Sequence, residues 1–392
     1  MILVPTLTDG VVTLRAHTDD DIEGAFEQCI DPVSQQWTTV PVPYTRDDAK
    51  RFIRDAMPGG WATDQEWAFA FSAVDPATGE ARYAGTISLR NERDGRAEIA
   101  YGSHPWVRGT GTVERALRLL LDWGFAPSSE GGRDLNTVIW LANEGNWASR
   151  KLAWRLGFSF DGTVRKWLPQ RGALLNAWVG VLLREDERAP RHQWFDAPRI
   201  VGENVVLRPH KPGDAPRIAE ACRDERSRQW LRRLPEPYRE ADANAFMESR
   251  IGAMAGGTCV HWAMADPATD DLIGVINIFQ IEAGRDGEVG YWTHPDARGR
   301  GVMTEACRLV VRHGFVPAED GGLGLRRLTA CAAVDNVASR HVIEACGFTQ
   351  FGIERRGVEI GGGALADLAC YDLLAEEFRP AQPPSASRTR QD

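Results

Sequence analysis

The sequence is short of the features that mark several large classes of protein. Its seven cysteines are odd in number, widely spaced and without a C-x-x-C pair, so neither a disulfide framework nor a zinc knuckle is expected. Its eight histidines never form H-E-x-x-H, and no metal site is expected. No apolar run approaches the roughly 20 residues that span a bilayer. The opening MILVPTLTDG lacks the basic n-region and long apolar core of a secretion signal. The reading is of a cytoplasmic protein with no membrane partner. Basic charge is in deficit as well: 46 Lys and Arg against 55 Asp and Glu leave a net charge of −9. That disfavours a nucleic-acid binder and mildly suits cationic partners such as amines.

What is present is present twice. At 392 residues the chain is long for one core, and two domains are the natural expectation. Gly111 and Gly301 stand 190 residues apart, as do His104 and His294, Asn146 and Asn336, Ser149 and Ser339, and Gly157 and Gly347. Nearer the start of each copy the spacing is 193, for Arg15 and Arg208 and for Trp37 and Trp230. Such a period reads as one domain duplicated. The boundaries expected are 1–186 and 201–378, with a charged, proline-containing linker at 187–200 and a Pro/Ser-rich disordered tail at 379–392. Ten of the fourteen tryptophans fall in the first copy. Trp147 and Trp154 share a helix face and read as packing, whereas Trp37 and Trp230 either pack or wall an acceptor pocket.

Within each copy, strand and helix patterns alternate, which predicts an α/β domain with a mixed sheet flanked by helices. The fourth strand, AEIAYGS in copy one and EVGYWTH in copy two, leads into a corner with two glycines and then a helix. The corner is Arg108-Gly-Thr-Gly111 in the first copy and Arg298-Gly-Arg-Gly301 in the second. A strand, a glycine turn and a helix start present backbone N–H groups and a partial positive charge to a phosphate. Glycine allows close approach, and Arg298 or Arg300 can add charge-assisted bonds to a diphosphate. A plain tight turn has about equal claim on the glycines alone. The corner is neither a P-loop nor a complete dinucleotide fingerprint.

Arg298-Gly299-Arg300-Gly301-Val302-Met303 resembles the R/Q-x-x-G-x-G/A coenzyme A signature of the GCN5-related N-acetyltransferase (GNAT) superfamily. EVGYWTHPDARGRGVMTEA, with DNVASRHVIEACGF further on, is similar to the RimJ/RimL-like branch that acetylates ribosomal protein N-termini. The resemblance covers both halves and implies two tandem GNAT-like domains, each a mixed, mostly antiparallel sheet with helices. Met303 and Val113 stand where the signature ends in Gly or Ala, and Arg115 stands where the second copy has Glu305. Copy one therefore fits less closely.

The resemblance implies an N-acetyltransferase with acetyl-CoA as cosubstrate, no metal, and a primary amine as acceptor, foremost the α-amine of a protein or peptide. A small-molecule amine, such as an antibiotic or its precursor, is the alternative within that chemistry. A non-catalytic acyl-CoA-binding regulator is the alternative outside it. Coenzyme contacts fall on Arg298, Gly299, Arg300, Gly301, Val302, Met303 and Asn336, and in copy one on Arg108, Gly109, Gly111, Asn146 and Ser149. Ser339 is the candidate for protonating the leaving thiolate, with helix capping as the competing role for both Ser339 and Asn336. Backbone N–H groups near Tyr291–Thr293 are candidates for the oxyanion, and the Tyr291 side chain is a catalytic candidate or a packed aromatic. Glu288, which recurs as Glu98, is the candidate base, or else an exposed carboxylate paired with an arginine. No base stands at Val358 or Leu168, where some family members place one. The chain is expected to be a monomer or homodimer, with the C-terminal half as the catalytic one.

Overall fold

The computed structural model describes residues 3–231 and 234–379; the tail expected from 379 lies, past its first residue, outside them. The chain divides into two compact units, Met1–Arg191 and His192–Asp392. Among the described residues no helix is long and apolar enough to cross a membrane.

In the first unit the strands are β1 (Leu7–Thr8), β2 (Val12–Arg15), β3 (Glu66–Val74), β4 (Ala81–Arg93), β5 (Arg96–Ser103), β6 (Thr137–Asn143), β7 (Gly162–Gln170) and β8 (Ala173–Leu183). They form one sheet in the order β1-β2-β3-β4-β5-β6-β8-β7. Only β5 and β6 run parallel. Helices α1 (Ile22–Ile30), α2 (Pro32–Trp37), α3 (Arg46–Arg51) and α4 (Met57–Ala62) lie between β2 and β3. A π-helical turn joins α3 to α4, where the sequence suggests one helix ending near 56. Helices α5 (Thr112–Phe125) and α6 (Trp147–Arg155) follow β5 and β6.

Strand alternation decides what packs where. Val12, Leu14, Phe69, Phe71, Ile87, Leu89, Ile99, Val138 and Trp140 meet Ala116, Leu117, Leu120 and Leu121 of α5 in the main core. The opposite face carries Ala70 and Tyr83 against Ala25 of α1 and Ile53.

The second unit repeats the plan. Its strands are β9 (Ile200–Val201), β10 (Val206–Arg208), β11 (Cys259–Ala265), β12 (Leu272–Glu282), β13 (Asp286–Thr293), β14 (Arg327–Ala333), β15 (Thr349–Glu359) and β16 (Leu365–Leu374). Its helices are α7 (Ala215–Arg223), α8 (Glu225–Trp230), α9 (Glu240–Ala255), α10 (Val302–Phe315) and α11 (Val337–Ala345). The order β15-β16-β14-β13-β12-β11-β10-β9 has β13 and β14 as its parallel pair. One face packs on α10 around Trp262, Ile276, Ile278 and Val289. The other packs on α7 and α9 through Ala263, Val275 and half-buried Trp292.

The repeated arginine near each unit's start has a structural role. Arg15 grips both carboxylate oxygens of Asp21 at 2.7 and 2.8 Å, and Arg208 grips Asp214 at 2.9 Å on both. Each pair pins the first helix to the sheet edge with a bidentate fork. The stretch read as a linker does not hang free. The Arg188 guanidinium lies 4.4 Å over the Phe125 ring, so that end belongs to the first unit. Phe195 and Ala197 are buried in the second core, and Trp262 Nε1 donates to the Pro198 carbonyl at 2.9 Å. An aromatic and a bulky guanidinium stem find apolar partners that charge and proline content do not reveal.

Candidate active site

The parallel strands of each sheet part company halfway along. β13 pairs with β14 from Asp286↔Arg327 to Val289↔Ala330 and no further, although both strands continue. β5 and β6 part in the same way after Ile99↔Trp140. Backbone groups alternate sides along a strand. His294 N–H donates to the Ile273 carbonyl on the β12 side, so the N–H groups of Tyr291 and Thr293 face the opened side. In the first unit His104 N–H donates to Ala84, which turns Tyr101 and Ser103 toward the gap. The opening exposes unpaired backbone donors, which buried polar groups do not leave unused.

The glycine corner sits at the end of the same strand. Gly299 and Gly301 have φ of +75° and +74°, and nothing lies within 4 Å of the place a side chain would occupy. Gly109 and Gly111 match them at +76° and +82°, again with open space. Intrahelical bonding begins with Glu305 N–H to the Gly301 carbonyl, which leaves the N–H groups of Val302, Met303 and Thr304 without a partner in the helix. Such a corner is a backbone seat suited to an anion. The side chains of Val302 and Met303 are buried in the core, so only their backbone faces the seat.

The arginines expected at the diphosphate are placed otherwise. Arg298 Nη2 lies 2.5 Å from Asp224 Oδ2 and 2.7 Å from Ser227 Oγ. Arg108 does the same with Asp31 and Ser34, at 2.7 and 2.9 Å. Asp31 and Asp224 are the N-caps of α2 and α8, and each also accepts the N–H of its own serine. The guanidinium therefore ties the corner to a helix start, and its charge is spent on a carboxylate. Asp224 is held below its ordinary carboxylate range chiefly by the Arg298 bond. The sequence signal was available: Asp31-x-x-Ser34 and Asp224-x-x-Ser227 recur at the 193-residue spacing, a capping pattern. Arg300 contacts Asp266 at 3.1 Å and stays half exposed.

The exchange of Glu305 for Arg115 is mechanical. Glu305 accepts the backbone N–H groups of Glu203 and Asn204, fastening the β9–β10 turn to α10. In the first unit Asp9 accepts the Val11 and Val12 N–H groups, and Arg115 holds Asp9 at 2.8 Å.

Beside the parted strands, Tyr291 and Ser339 meet. Their hydroxyls are 3.2 Å apart, and the Tyr291 O–H also reaches the Ser339 carbonyl at 3.1 Å. Burial pushes the Tyr291 phenol above its ordinary value, so it keeps its proton. Tyr101 and Ser149 form the equivalent pair at 2.7 Å, joined by Trp140 Nε1 at 3.0 Å from Ser149 Oγ. Asn336 and Asn146 cap their helices by accepting the N–H of Ser339 and Ser149 at 3.2 and 3.1 Å. Each carboxamide oxygen is thus committed.

The two candidate bases have different cross-strand partners. Glu98 lies against Arg90, its cross-strand partner, at 2.5 Å and against Asn91 at 3.3 Å. Glu288 has Phe279 as its cross-strand partner. Its side of the strand is the α7/α9 face, opposite Tyr291. His104 and His294 are buried N-caps of one-turn helices. Trp37 is half buried, 3.5 Å from where a side chain on Gly145 would begin.

The central parallel strands of each sheet thus open beside a row of helix-start N–H groups, a geometry that admits an extended, phosphate-bearing ligand. The sequence profile of the Acetyltransferase (GNAT) domain matches residues 12–159 and again 204–349. The matched segments take in well over half of the chain, which belongs to the GNAT acetyltransferase family and carries its domain twice. The chain is 31% identical over 191 residues to YdaF of Bacillus subtilis (strain 168), provisionally named a ribosomal N-acetyltransferase, covering 45% of this chain and 95% of that protein. It is 34% identical over 80 residues to the ribosomal-protein-serine acetyltransferase of Escherichia coli (strain K12), covering 20% and 42% respectively. Among solved structures, Mycobacterium smegmatis RimJ in complex with CoA-disulfide is 21% identical with a TM-score of 0.40, covering 44% of this chain and 83% of that one.

Proposed function

We propose that the C-terminal half transfers the acetyl group of acetyl-CoA to a primary amine, first of all the α-amine of a protein or peptide N-terminus. The reading is carried by one observation: the parted strands β13 and β14 open beside the Tyr291–Ser339 hydroxyl pair. The backbone of Gly299–Thr304 holds the diphosphate, and an N–H of Tyr291 or Thr293 stabilises the carbonyl oxygen as it gains charge. Glu288, directly or through water, takes the ammonium proton. The Ser339 hydroxyl, held by the Tyr291 hydroxyl, protonates the departing thiolate and regains a proton from solvent, to which Glu288 releases the proton taken from the amine. The peptide acceptor is supported by the names of the relatives.

The test is acetylation of peptides with free Ser or Ala N-termini, read by mass, against a panel of small amines. Ser339→Ala is expected to lower kcat roughly 10²-fold with little change in KM for acetyl-CoA, as loss of a general acid does. Unchanged kcat in Ser339→Ala would remove Ser339 from the mechanism. Turnover with small amines alone would replace the peptide acceptor.

A further inference from the structure

Three cross-strand neighbours line up on the α7/α9 face of the second sheet where the gap begins. His261 of β11 pairs with Asn277 of β12, which pairs with Gly290 of β13. Gly290 is the first residue of β13 past the last parallel pair, Val289↔Ala330, so this row borders the opening. The rows on either side are Cys259, Phe279 and Glu288, and Ala263, Val275 and Trp292. All share one face by alternation. Asn277 and Glu288 are therefore diagonal neighbours, about 7–8 Å apart at the backbone.

Asn277 departs from the usual treatment of buried polar groups. Its Oδ1 is buried and has no hydrogen-bond partner among the described residues, a state that costs free energy and calls for an explanation. His261, on one side of it, is engaged with His210 at 2.9 Å. On the other side the carboxamide leans over the glycine. Oδ1 lies 2.9 Å from where a Gly290 side chain would begin, and Phe279 Cε1 lies 3.0 Å from the same point. An unused hydrogen-bond acceptor thus stands at the edge of the gap, beside a half-exposed ring.

The first unit has the same row without that feature. It reads Ala68, Ser88 and Ala100. Ser88 Oγ donates to Glu66 Oε1 at 2.6 Å, and Ala100 supplies the methyl group that Gly290 lacks. The fold therefore needs neither the carboxamide nor the glycine.

We propose that Asn277 holds the acceptor of the second unit, its carboxamide oxygen accepting an N–H of the attacking amine once the Phe279 ring turns aside. The amine then sits over Gly290, beside the opened edge of β13 and one row from Glu288. A primary amine has hydrogens enough for Asn277 and Glu288 together, and substrate makes the bond that Asn277 lacks. The inference rests on the reading that the second unit acetylates an amine.

The test uses the full chain, acetyl-CoA and a Ser-terminated peptide. Asn277→Leu keeps the size of the side chain and removes the carboxamide. Because the oxygen has no partner in the protein, the thermal midpoint is expected to stay or rise. KM for the peptide is expected to rise at least about tenfold, as loss of a bond to a charged group does, with KM for acetyl-CoA unchanged. Gly290→Ala is expected to raise the same constant, because its methyl meets Oδ1. The first unit already takes alanine at that place, so this variant serves if the leucine variant misfolds. Ser88→Ala is expected to leave both KM values alone.

An unchanged peptide KM in Asn277→Leu overturns the proposal. So does a lowered midpoint with both KM values raised, the mark of a structural role, and so does a peptide KM that rises in Ser88→Ala. If the parent acetylates small amines and no peptide, the peptide acceptor falls, and KM for the amine decides the role of Asn277 by the same criteria. A parent that transfers acetyl to no amine overturns both readings.

Discussion

Removing the charge of Asp224 while keeping its shape separates two roles for Arg298. As a diphosphate ligand, Arg298 would be released by Asp224→Asn and bind acetyl-CoA more tightly. As the tie between corner and α8, it would lose its anchor. Two unit charges about 4 Å apart near a protein surface attract by roughly 4 kcal/mol before desolvation and side-chain entropy are counted. Both side chains are 26% exposed, so the net value falls to about 1–2 kcal/mol, the usual range for a charge-assisted bond. Asparagine can still accept the Ser227 N–H that Asp224 now receives at 2.8 Å, so the cap survives and the change reads the ion pair alone. Asp224→Asn and Arg298→Gln should each destabilise the chain by that amount, and the double variant by little more than either, a coupling of about 1 kcal/mol. The pH sign follows from the carboxylate. Its folded value is lowered, so the contribution is complete at neutral pH and disappears as pH falls below the ordinary carboxylate range near 4. Chemical denaturation at pH 7.5, with acetyl-CoA titration of each variant, is the assay. Additive losses together with tighter coenzyme binding in Asp224→Asn would refute the tie and return Arg298 to the diphosphate.

Other parts of the fold make equally direct predictions. His261 is fully buried, bonded to His210 at 2.9 Å, and burial lowers its pKa well below the ordinary 6.5. The unfolded chain therefore binds the extra proton first, and stability should fall by up to about 1.4 kcal/mol per pH unit below 6.5. Asp214 lies 3.6 Å from His210 and the Arg250 charge acts on His261, so the slope to compare is that of His261→Leu, which should be shallower between pH 6.5 and 5 in thermal midpoints. Glu305→Ala should cost about 1–2 kcal/mol by stranding the turn N–H groups, while Glu305→Gln recovers part of it. Trp262→Phe removes the bond to Pro198 and about as much stability; protease cleavage near residues 195–198 should then quicken, and an unchanged cleavage rate would detach that segment from the second core.

The duplication, the strand and helix order and the glycine corners were readable because each rests on local pattern. Alternation places Phe69 and Phe71 on one face, and two glycines before an amphipathic helix mark a turn free to take positive φ. The side-chain assignments were less readable. Arg298 looks like a phosphate ligand from its neighbours in sequence, yet its partner lies 74 residues earlier, at Asp224. Gln170 carries no signal of its own, because its role depends on the α2 carbonyls more than 130 residues away. The contacts made within the linker were hidden for a related reason. Charge and proline content describe the average of 187–200, whereas Phe195 and Arg188 act individually through the rings and pockets they meet.

The corner tolerates substitution around it because its donors are backbone groups. A seat built from N–H groups survives any neighbouring change that preserves φ at Gly109, Gly111, Gly299 and Gly301, since no side chain supplies its charge. Exchanging Arg115 for Glu305 reverses the polarity at the fourth residue of the helix and still fastens the same hairpin, by way of Asp9 in one unit and directly in the other. Departures of that kind in the first copy therefore do not count against coenzyme binding there.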